Sequence, residues 1–214
     1  RHWAQSAVQR MVDERIIAGY PDGTFRPSNY ITRAEFVSLI ARACNLGAGS
    51  AKLLSGISPE TVFGSAKQPS GRGVLFSDIT GHWAEGEIIR AYYHGIVSGY
   101  SDSKFGPDDL MPREQALVMI VNALKVGLAE NSSSRVFADS SHISGWAKEA
   151  VARVAAAGII TGYPDGTLRP QEHITRAEAV VILERSVQLS QEPTEEKETI
   201  ITAYDTAGTY GPES

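Results

Sequence analysis

The sequence has a single cysteine, Cys44, only three tryptophans, and no long apolar run. One thiol excludes a disulfide framework and a cysteine-rich zinc site within the chain. Cys44 lies in the helical run Phe36-Val37-Ser38-Leu39-Ile40-Ala41-Arg42-Ala43-Cys44 and reads as a small buried apolar residue, not a reactive thiol. No stretch approaches the roughly 20 apolar residues of a membrane span, so no membrane insertion is expected. An excess of basic charge is also missing. At a formal charge of −5 the chain lacks the footprint of a nucleic-acid binder. Any anion must therefore be held locally, by particular arginines. No leader-like segment opens the chain. It starts inside a motif, Arg1-His2-Trp3, and a leader is expected to precede that point if the protein carries one. A catalytic constellation is missing too. His2 and His82 are equivalent, but His94, His142 and His173 have no histidine counterparts, and no carboxylate pair is marked out for glycoside cleavage. The expectation is a non-enzyme without cofactor or metal, which leaves room for a catalytic module elsewhere in a longer protein.

What is present is a pattern stated three times. Trp3, Trp83 and Trp146 each lie seventeen residues before the tyrosine of a Gly-Tyr pair, Gly19-Tyr20, Gly99-Tyr100 and Gly162-Tyr163. Each also lies thirty residues before an arginine, Arg33, Arg113 or Arg176. Self-similarity of this kind marks a repeat architecture. The segment after each tryptophan reads as a helix, with Trp3, Ala7, Val8, Met11 and Val12 at helical spacing, then Ile88, Ala91 and Tyr92, then Val151, Val154 and Ala155 on the same face. Gly95 and Gly158 fit a helix C-terminal stop, a place filled by Arg15 in the first copy. The Pro-Asp-Gly segments that follow carry turn chemistry, and Asp22, Asp102 and Asp165 read as turn-capping residues more than as ligand contacts.

Thr32-x-x-Glu35 and Thr175-x-x-Glu178 then open a second helix with a capping box. The middle copy departs, placing Pro112 and Gln115 at those positions, so no capping oxygen is supplied. The second helices are apolar along Phe36-Val37-Leu39-Ile40, Leu117-Val118-Ile120-Val121 and Val180-Val181-Ile182-Leu183. One helix-loop-helix unit is too small to bury its own apolar face, whereas three share one core. The chain divides into repeat 1 (1–46), an inserted connecting segment (47–74), repeat 2 (75–128), a linker (129–135), repeat 3 (136–189) and a tail (190–214). Within the tail, Gln191 to Glu198 reads as a charged linker and Thr199 to Tyr204 as a strand of a further module. The expectation is that the repeats anchor a longer protein.

Phe76-Ser77-Asp78, Gly81-His82-Trp83-Ala84, Gly19-Tyr20-Pro21-Asp22-Gly23-Thr24-Phe25-Arg26-Pro27 and Ile31-Thr32-Arg33-Ala34-Glu35 together resemble the S-layer homology domain, in three tandem copies across most of the chain. The tail, from Tyr204-Asp205 to Gly208-Thr209-Tyr210-Gly211-Pro212, resembles a segment that can follow such domains in exported Gram-positive proteins. The resemblance implies an all-α fold in which three pseudo-symmetric repeats form a threefold prism around a central three-helix bundle, with grooves between repeats. It implies secretion to the bacterial cell wall or S-layer. It also implies non-covalent anchoring through a secondary cell wall polysaccharide attached to peptidoglycan, commonly by a pyruvylated N-acetylmannosamine. The alternative is a lattice-forming structural module with little glycan binding of its own. The fragment is expected to be monomeric, and the full protein to be capable of a surface lattice.

The resemblance assigns the main ligand contact to Arg33, Arg113 and Arg176. A planar, always charged guanidinium suits a ketal carboxylate, and backbone N–H groups and the positive end of the dipole at the start of the second helix would add to the anion site. The competing reading of these arginines is solvation or a salt bridge between repeats. Ser98 and Thr161 are candidate hydroxyl donors, or else are bonded to nearby backbone; Ala18 stands in their place in the first copy. Gly81 is a candidate for close approach of a sugar, where Arg1 and Ser144 stand in the other copies. Gly19, Gly99 and Gly162, with Trp83 and Trp146, are further candidates, and for the tryptophans sugar stacking and core packing both stay open. Arg10, Arg90 and Arg153 recur seven residues after each tryptophan, suggesting pairing between repeats. A calcium loop around Gly23 fails, because Ala18 and Tyr20 stand where ligands should be and Asn29 where the glutamate should be.

Overall fold

The computed structural model describes residues 2–46, 76–124 and 136–191. The inserted segment, the linker at 129–135 and the strand expected at Thr199 to Tyr204 lie outside the described residues. Six α-helices occur among the described residues: α1 (Gln5–Asp13), α2 (Arg33–Ala43), α3 (Glu85–Tyr93), α4 (Arg113–Leu124), α5 (Lys148–Ala156) and α6 (Arg176–Gln191). Apart from isolated bridges, no strand accompanies them among those residues, so the fold is all-α, as the resemblance implied.

Local chemistry sets the ends of the helices. The imidazoles of His2 and His82 accept the N–H groups of Ala4 and Ala84, just ahead of α1 and α3, at 3.2 and 3.1 Å. The first helices stop at residues with left-handed backbone: Arg15 (φ 60°), Gly95 (φ 67°) and Gly158 (φ 72°). In each case the next isoleucine donates its N–H back into the helix, Ile16 to Met11, Ile96 to Ala91 and Ile159 to Val154, and buries its side chain. Thr32 and Glu35 form the expected reciprocal capping box on α2. Thr175 and Glu178 do the same on α6, at 3.3 Å from hydroxyl to N–H and 2.8 Å from carboxylate to N–H.

The repeats close into a cycle at the entry to the second helices. Ile31 donates its N–H to the carbonyl of Ile174 at 3.2 Å, Ile174 to Met111 at 3.0 Å, and Met111 to Ile31 at 3.0 Å. The three side chains are fully buried. The first two residues of each second helix then donate to carbonyls of the next repeat. Arg33 and Ala34 bond to Asp109 and Pro107, Arg113 and Glu114 to Glu172 and Pro170, and Arg176 and Ala177 to Asn29 and Pro27. Short antiparallel bridges, Thr32 with Leu110, Pro112 with His173 and Tyr30 with Thr175, mark the same three seams.

Helix packing follows that order. α2, α4 and α6 touch one another pairwise, and each first helix lies on the second helix of the preceding repeat: α3 on α2, α5 on α4, and α1 on α6. The core is one cluster drawn from all three copies, with Phe36, Phe76, Phe105, Met11, Ile88 and Leu117 at its centre. Asp78 and Asp139 tie the loops down. Asp139 accepts the N–H groups of Leu168 and Arg169 at 2.8 and 2.7 Å, and Asp78 those of Phe105 and Gly106.

Two expectations are corrected here. Trp3, Trp83 and Trp146 stand outside the core at 65%, 59% and 58% exposure, and Val12 and Tyr92 also face outward. The first helices begin after the tryptophans, so only Ala7 and Met11, Ile88 and Ala91, and Val151 and Val154 with Ala150, form the buried face. Of the three recurrent helix arginines, Arg10 reaches another repeat, pairing with Glu184 at 2.7 Å. Arg90 and Arg153 pair within their own helices, with Glu87 and Glu149.

A fragment ending at residue 128 keeps Ile31 and Met111 but loses Ile174 and α6, so the cycle cannot close. Calorimetry should show no cooperative unfolding transition, while a fragment spanning residues 1–191 keeps one. Asp139→Ala leaves two backbone N–H groups without their acceptor and should cost about 2–4 kcal/mol in urea unfolding at neutral pH. Burial alone would raise the pKa of Asp139, but the two backbone N–H groups outweigh it and hold the carboxyl below its ordinary value. A depressed folded pKa contributes stability that is present above the unfolded value and lost as pH falls through the folded one. The gap between wild type and variant should therefore narrow below about pH 4.

Candidate functional site

The cyclic packing builds each groove from all three repeats. One groove, of about 210 Å³, is lined by Arg33 from repeat 1, by Ser98, Gly99 and Gln115 from repeat 2, and by Trp146 from repeat 3. A second, of about 640 Å³, is lined by Arg113 from repeat 2, by Thr161, Gly162 and Glu178 from repeat 3, and by Trp3 from repeat 1. Each places an arginine, a hydroxyl residue and a tryptophan from three successive copies around one space. Arg176 stands against the loop of repeat 1 that carries Ala18 and Gly19, through its contacts with Tyr20 and Phe25. Gly81 lines neither of the two grooves. It is exposed, with φ 74°, and its N–H is taken by Glu85 at 2.9 Å.

The arginines are inserted between repeats. Arg33 is 2% exposed. Its Nε donates to the carbonyl of Phe105 at 3.1 Å, its Nη2 to the carbonyl of Ser98 at 3.3 Å, and its Nη1 to the side-chain oxygen of Gln115. The guanidinium lies 4.4 Å from the ring centre of Tyr100 and 4.6 Å from that of Phe105. Burial pulls its pKa below the ordinary value, opposed by Tyr100, Asp109 and Asp78. Arg113 donates through Nη2 to Glu178 at 2.7 Å and to the hydroxyl of Tyr163, and its Nε is buried without a partner. Arg176 donates to the carbonyl of Phe25 and to Glu35, each at 3.1 Å. The salt bridge between repeats is thus real for Arg113 and Arg176.

The glutamates that bind these two arginines are the same ones that close the capping boxes. Glu178 receives Thr175 on one oxygen and Arg113 with Tyr163 on the other. Burial would raise the Glu178 pKa, but these hydrogen bonds and the adjacent arginine bring it below its ordinary value. The Tyr163 hydroxyl is pushed up to about 12, first by burial and then by its bond to Glu178. Tyr20 and Tyr163 are each flanked by a second arginine, Arg26 at 4.2 Å and Arg169 at 4.1 Å. These arginines adopt left-handed backbone and are bound by the turn aspartates Asp22 and Asp165, whose carboxyls fall far below the usual range, chiefly through Thr24 and Thr167 and then through the arginines. In repeat 2 that second arginine is replaced by Gly106.

The helix N-terminus does not serve an anion as expected, because its first free N–H groups are already bonded to carbonyls of the neighbouring repeat. The main charge available to a ligand is that of the arginine side chains. Ser98 is exposed, its hydroxyl has no protein partner among the described residues, and Thr161 is also exposed. Gly99 and Gly162 line the grooves, yet internal packing alone requires them. A Cβ on Gly99 would lie 2.3 Å from the Phe76 ring, and one on Gly162 would lie 2.8 Å from Phe137. At Gly19 a Cβ would meet the carbonyl of Thr24 at 2.8 Å. Burial pushes the Cys44 thiol up to about 12, which leaves it protonated and unreactive at neutral pH. Among the described residues, no group of three or more histidine, cysteine or acidic side chains converges on a metal position.

The family model for the S-layer homology domain matches residues 1–37, 75–117 and 136–180. Among similar proteins, cell surface glycoprotein 1 of Acetivibrio thermocellus is 33% identical over 80% of this chain. The cellulosome-anchoring protein of the same organism is 33% identical over 81%, and an amylopullulanase of Thermoanaerobacterium thermosulfurigenes is 31% identical over 85%. The matched regions span only 7%, 35% and 9% of those proteins' own lengths, respectively.

The exposed tryptophans give a direct check on the groove geometry. Acrylamide should quench the fluorescence of the folded protein nearly as well as that of the unfolded chain. Strong protection in the folded state would place the indoles in the core and remove them from the grooves.

Proposed function

Because the chain belongs to the S-layer homology domain family, we propose that its repeats hold their protein on the cell wall by binding the pyruvylated N-acetylmannosamine of a peptidoglycan-linked secondary cell wall polysaccharide. Members of this family are secreted, cell-wall-associated and non-catalytic in the repeats themselves, so any catalysis belongs to separate modules of a longer protein.

The observation that carries the reading is the composite groove: a buried arginine, an exposed hydroxyl residue and an exposed tryptophan, supplied by three successive repeats. A pyruvate ketal offers a carboxylate to the guanidinium, with charge-assisted bonds worth about 1.5–3 kcal/mol. Ser98 and Thr161 supply hydroxyls to the sugar, and Trp146 and Trp3 supply flat apolar faces across the opening. The wall of each groove is rigid, because Arg33 is wedged between rings and backbone carbonyls and Arg113 is held by Glu178 and the ring of Tyr163, so little ordering cost accompanies binding. One contact of this size does not hold a protein on a wall. Engagement of two grooves by a polymer would raise avidity by about 10²–10⁴ where their spacing allows it.

Calorimetry with purified pyruvylated wall polysaccharide should show binding that disappears with the depyruvylated polymer and with the folded triple variant Arg33→Ala, Arg113→Ala, Arg176→Ala. Binding that survives the triple variant would sink the arginine assignment. Assembly of the fragment into sheets without polymer, and no glycan binding, would favour the lattice reading.

A further inference from the structure

The three recurrent arginines are not electrically equivalent. Arg113 pairs with Glu178 at 2.7 Å and Arg176 pairs with Glu35 at 3.1 Å. Among the described residues Arg33 has no such ion pair, because the residue that meets it is the neutral Gln115. We infer that Gln115 makes the groove of Arg33 the one that captures the ligand's carboxylate, and that Glu178 and Glu35 already neutralise the charge of Arg113 and Arg176. This inference rests on the carboxylate reading of the previous section and adds which groove acts and what decides it.

The argument is one of competition. A ligand carboxylate competes with whatever acceptor already faces the guanidinium. In the Arg113 groove that acceptor is itself a carboxylate, and it is fixed in place by its capping-box bond to Thr175 and its bond from Tyr163. Replacing one carboxylate by another gains little charge-assisted bonding. In the Arg33 groove the acceptors are all neutral, two backbone carbonyls and the Gln115 amide, and the amide's anchor is missing as well. Pro112 occupies the cap position and has no N–H with which to hold Gln115, as Thr32 holds Glu35. The two departures of repeat 2 therefore act together: one removes the competing charge and the other frees the side chain to swing aside.

The surroundings agree with this. The nearby acids act on Arg33 from a distance. Asp78 is occupied by the N–H groups of Phe105 and Gly106, and Asp109 lies beside Gly106. A charge buried to 2% exposure without an ionic partner gains most from a ligand that supplies one. The Arg33 groove also has at Ser98 a hydroxyl without a protein partner among the described residues, and an exposed indole at Trp146 beside it. In the larger groove Arg185 adds a second cation, bonded to the carbonyl of Ile159 at 3.1 Å. That side chain is solvent-exposed, where screening reduces a lone ion contact.

The test uses a short pyruvylated N-acetylmannosamine-containing fragment of the wall polymer, too small to bridge grooves, titrated calorimetrically into the full chain. Gln115→Glu should weaken the principal site by about 10- to 100-fold, as should Arg33→Ala, while Arg90→Ala, a helix-surface control, leaves it nearly unchanged; Arg113→Ala and Arg185→Ala report on the larger groove. The acid added by Gln115→Glu lies in the first turn of α4, where negative charge favours the helix, so folding is preserved. Glu178→Gln should release Arg113 and raise the stoichiometry by one site; circular dichroism confirms its fold. Pyruvate-dependent binding that ignores Gln115→Glu and Arg33→Ala, or that follows Arg113 or Arg185 instead, overturns this inference and leaves the anchor intact. Wild-type binding that is indifferent to the pyruvate removes the carboxylate premise and this inference with it.

Discussion

The closed ring of backbone hydrogen bonds among Ile31, Met111 and Ile174 is the constraint on which the rest of the molecule depends. Each residue is both donor and acceptor, and all three lie where water cannot compensate a lost bond. The ring fixes where the second helices begin. It thereby fixes which carbonyls of the next repeat meet the first turn of each helix, and which loop each arginine enters. Grooves, salt bridges and helix contacts inherit one cyclic order from it.

The arginines show how one residue type serves structure and recognition at once. Each links two repeats, Arg33 and Arg176 through a backbone carbonyl and aromatic rings and Arg113 through Glu178 and the ring of Tyr163, so removing it disturbs the wall of the groove as well as its charge. The capping glutamates extend this coupling, since Glu35 and Glu178 satisfy their own helix on one oxygen and the adjacent repeat's arginine on the other. Helix capping and groove electrostatics are therefore not separable in repeats 1 and 3. In repeat 2 the loss of the cap at Pro112 and the loss of the charge at Gln115 are two sides of one change.

Much of this was legible locally. The capping boxes, the stops at Gly95 and Gly158, the substitute at Arg15 and the turn role of Asp22 and Asp165 all depend on residues within a few positions of one another. The arginines could be picked out as a threefold recurrence. The order in which copies pair was not legible, because Ile31 meets Ile174 across most of the chain and nothing in the local pattern says so. For the same reason, the helix N–H groups expected to serve an anion proved to be bonded to carbonyls of another repeat. The tryptophans misled by their position next to amphipathic helices: periodicity identifies a face only once the helix has begun, and each helix starts after its tryptophan. The partner role of Gln115 could have been suspected from its alignment with Glu35 and Glu178, but its meaning required Arg33 beside it.

The packing of α1 against α6 makes the assembly a closed loop. In an open array the terminal unit has one neighbour, so tension applied at that end detaches units one after another. Here every repeat has two neighbours, and the last helix is gripped by the first. A pull on the chain beyond Gln191 enters α6, which holds Arg176 at one end and carries α1 along its flank, and passes at once to both other copies. The unit resists load as a clasp does, with no outermost piece to peel away, which is the mechanical property a tether to a rigid surface requires.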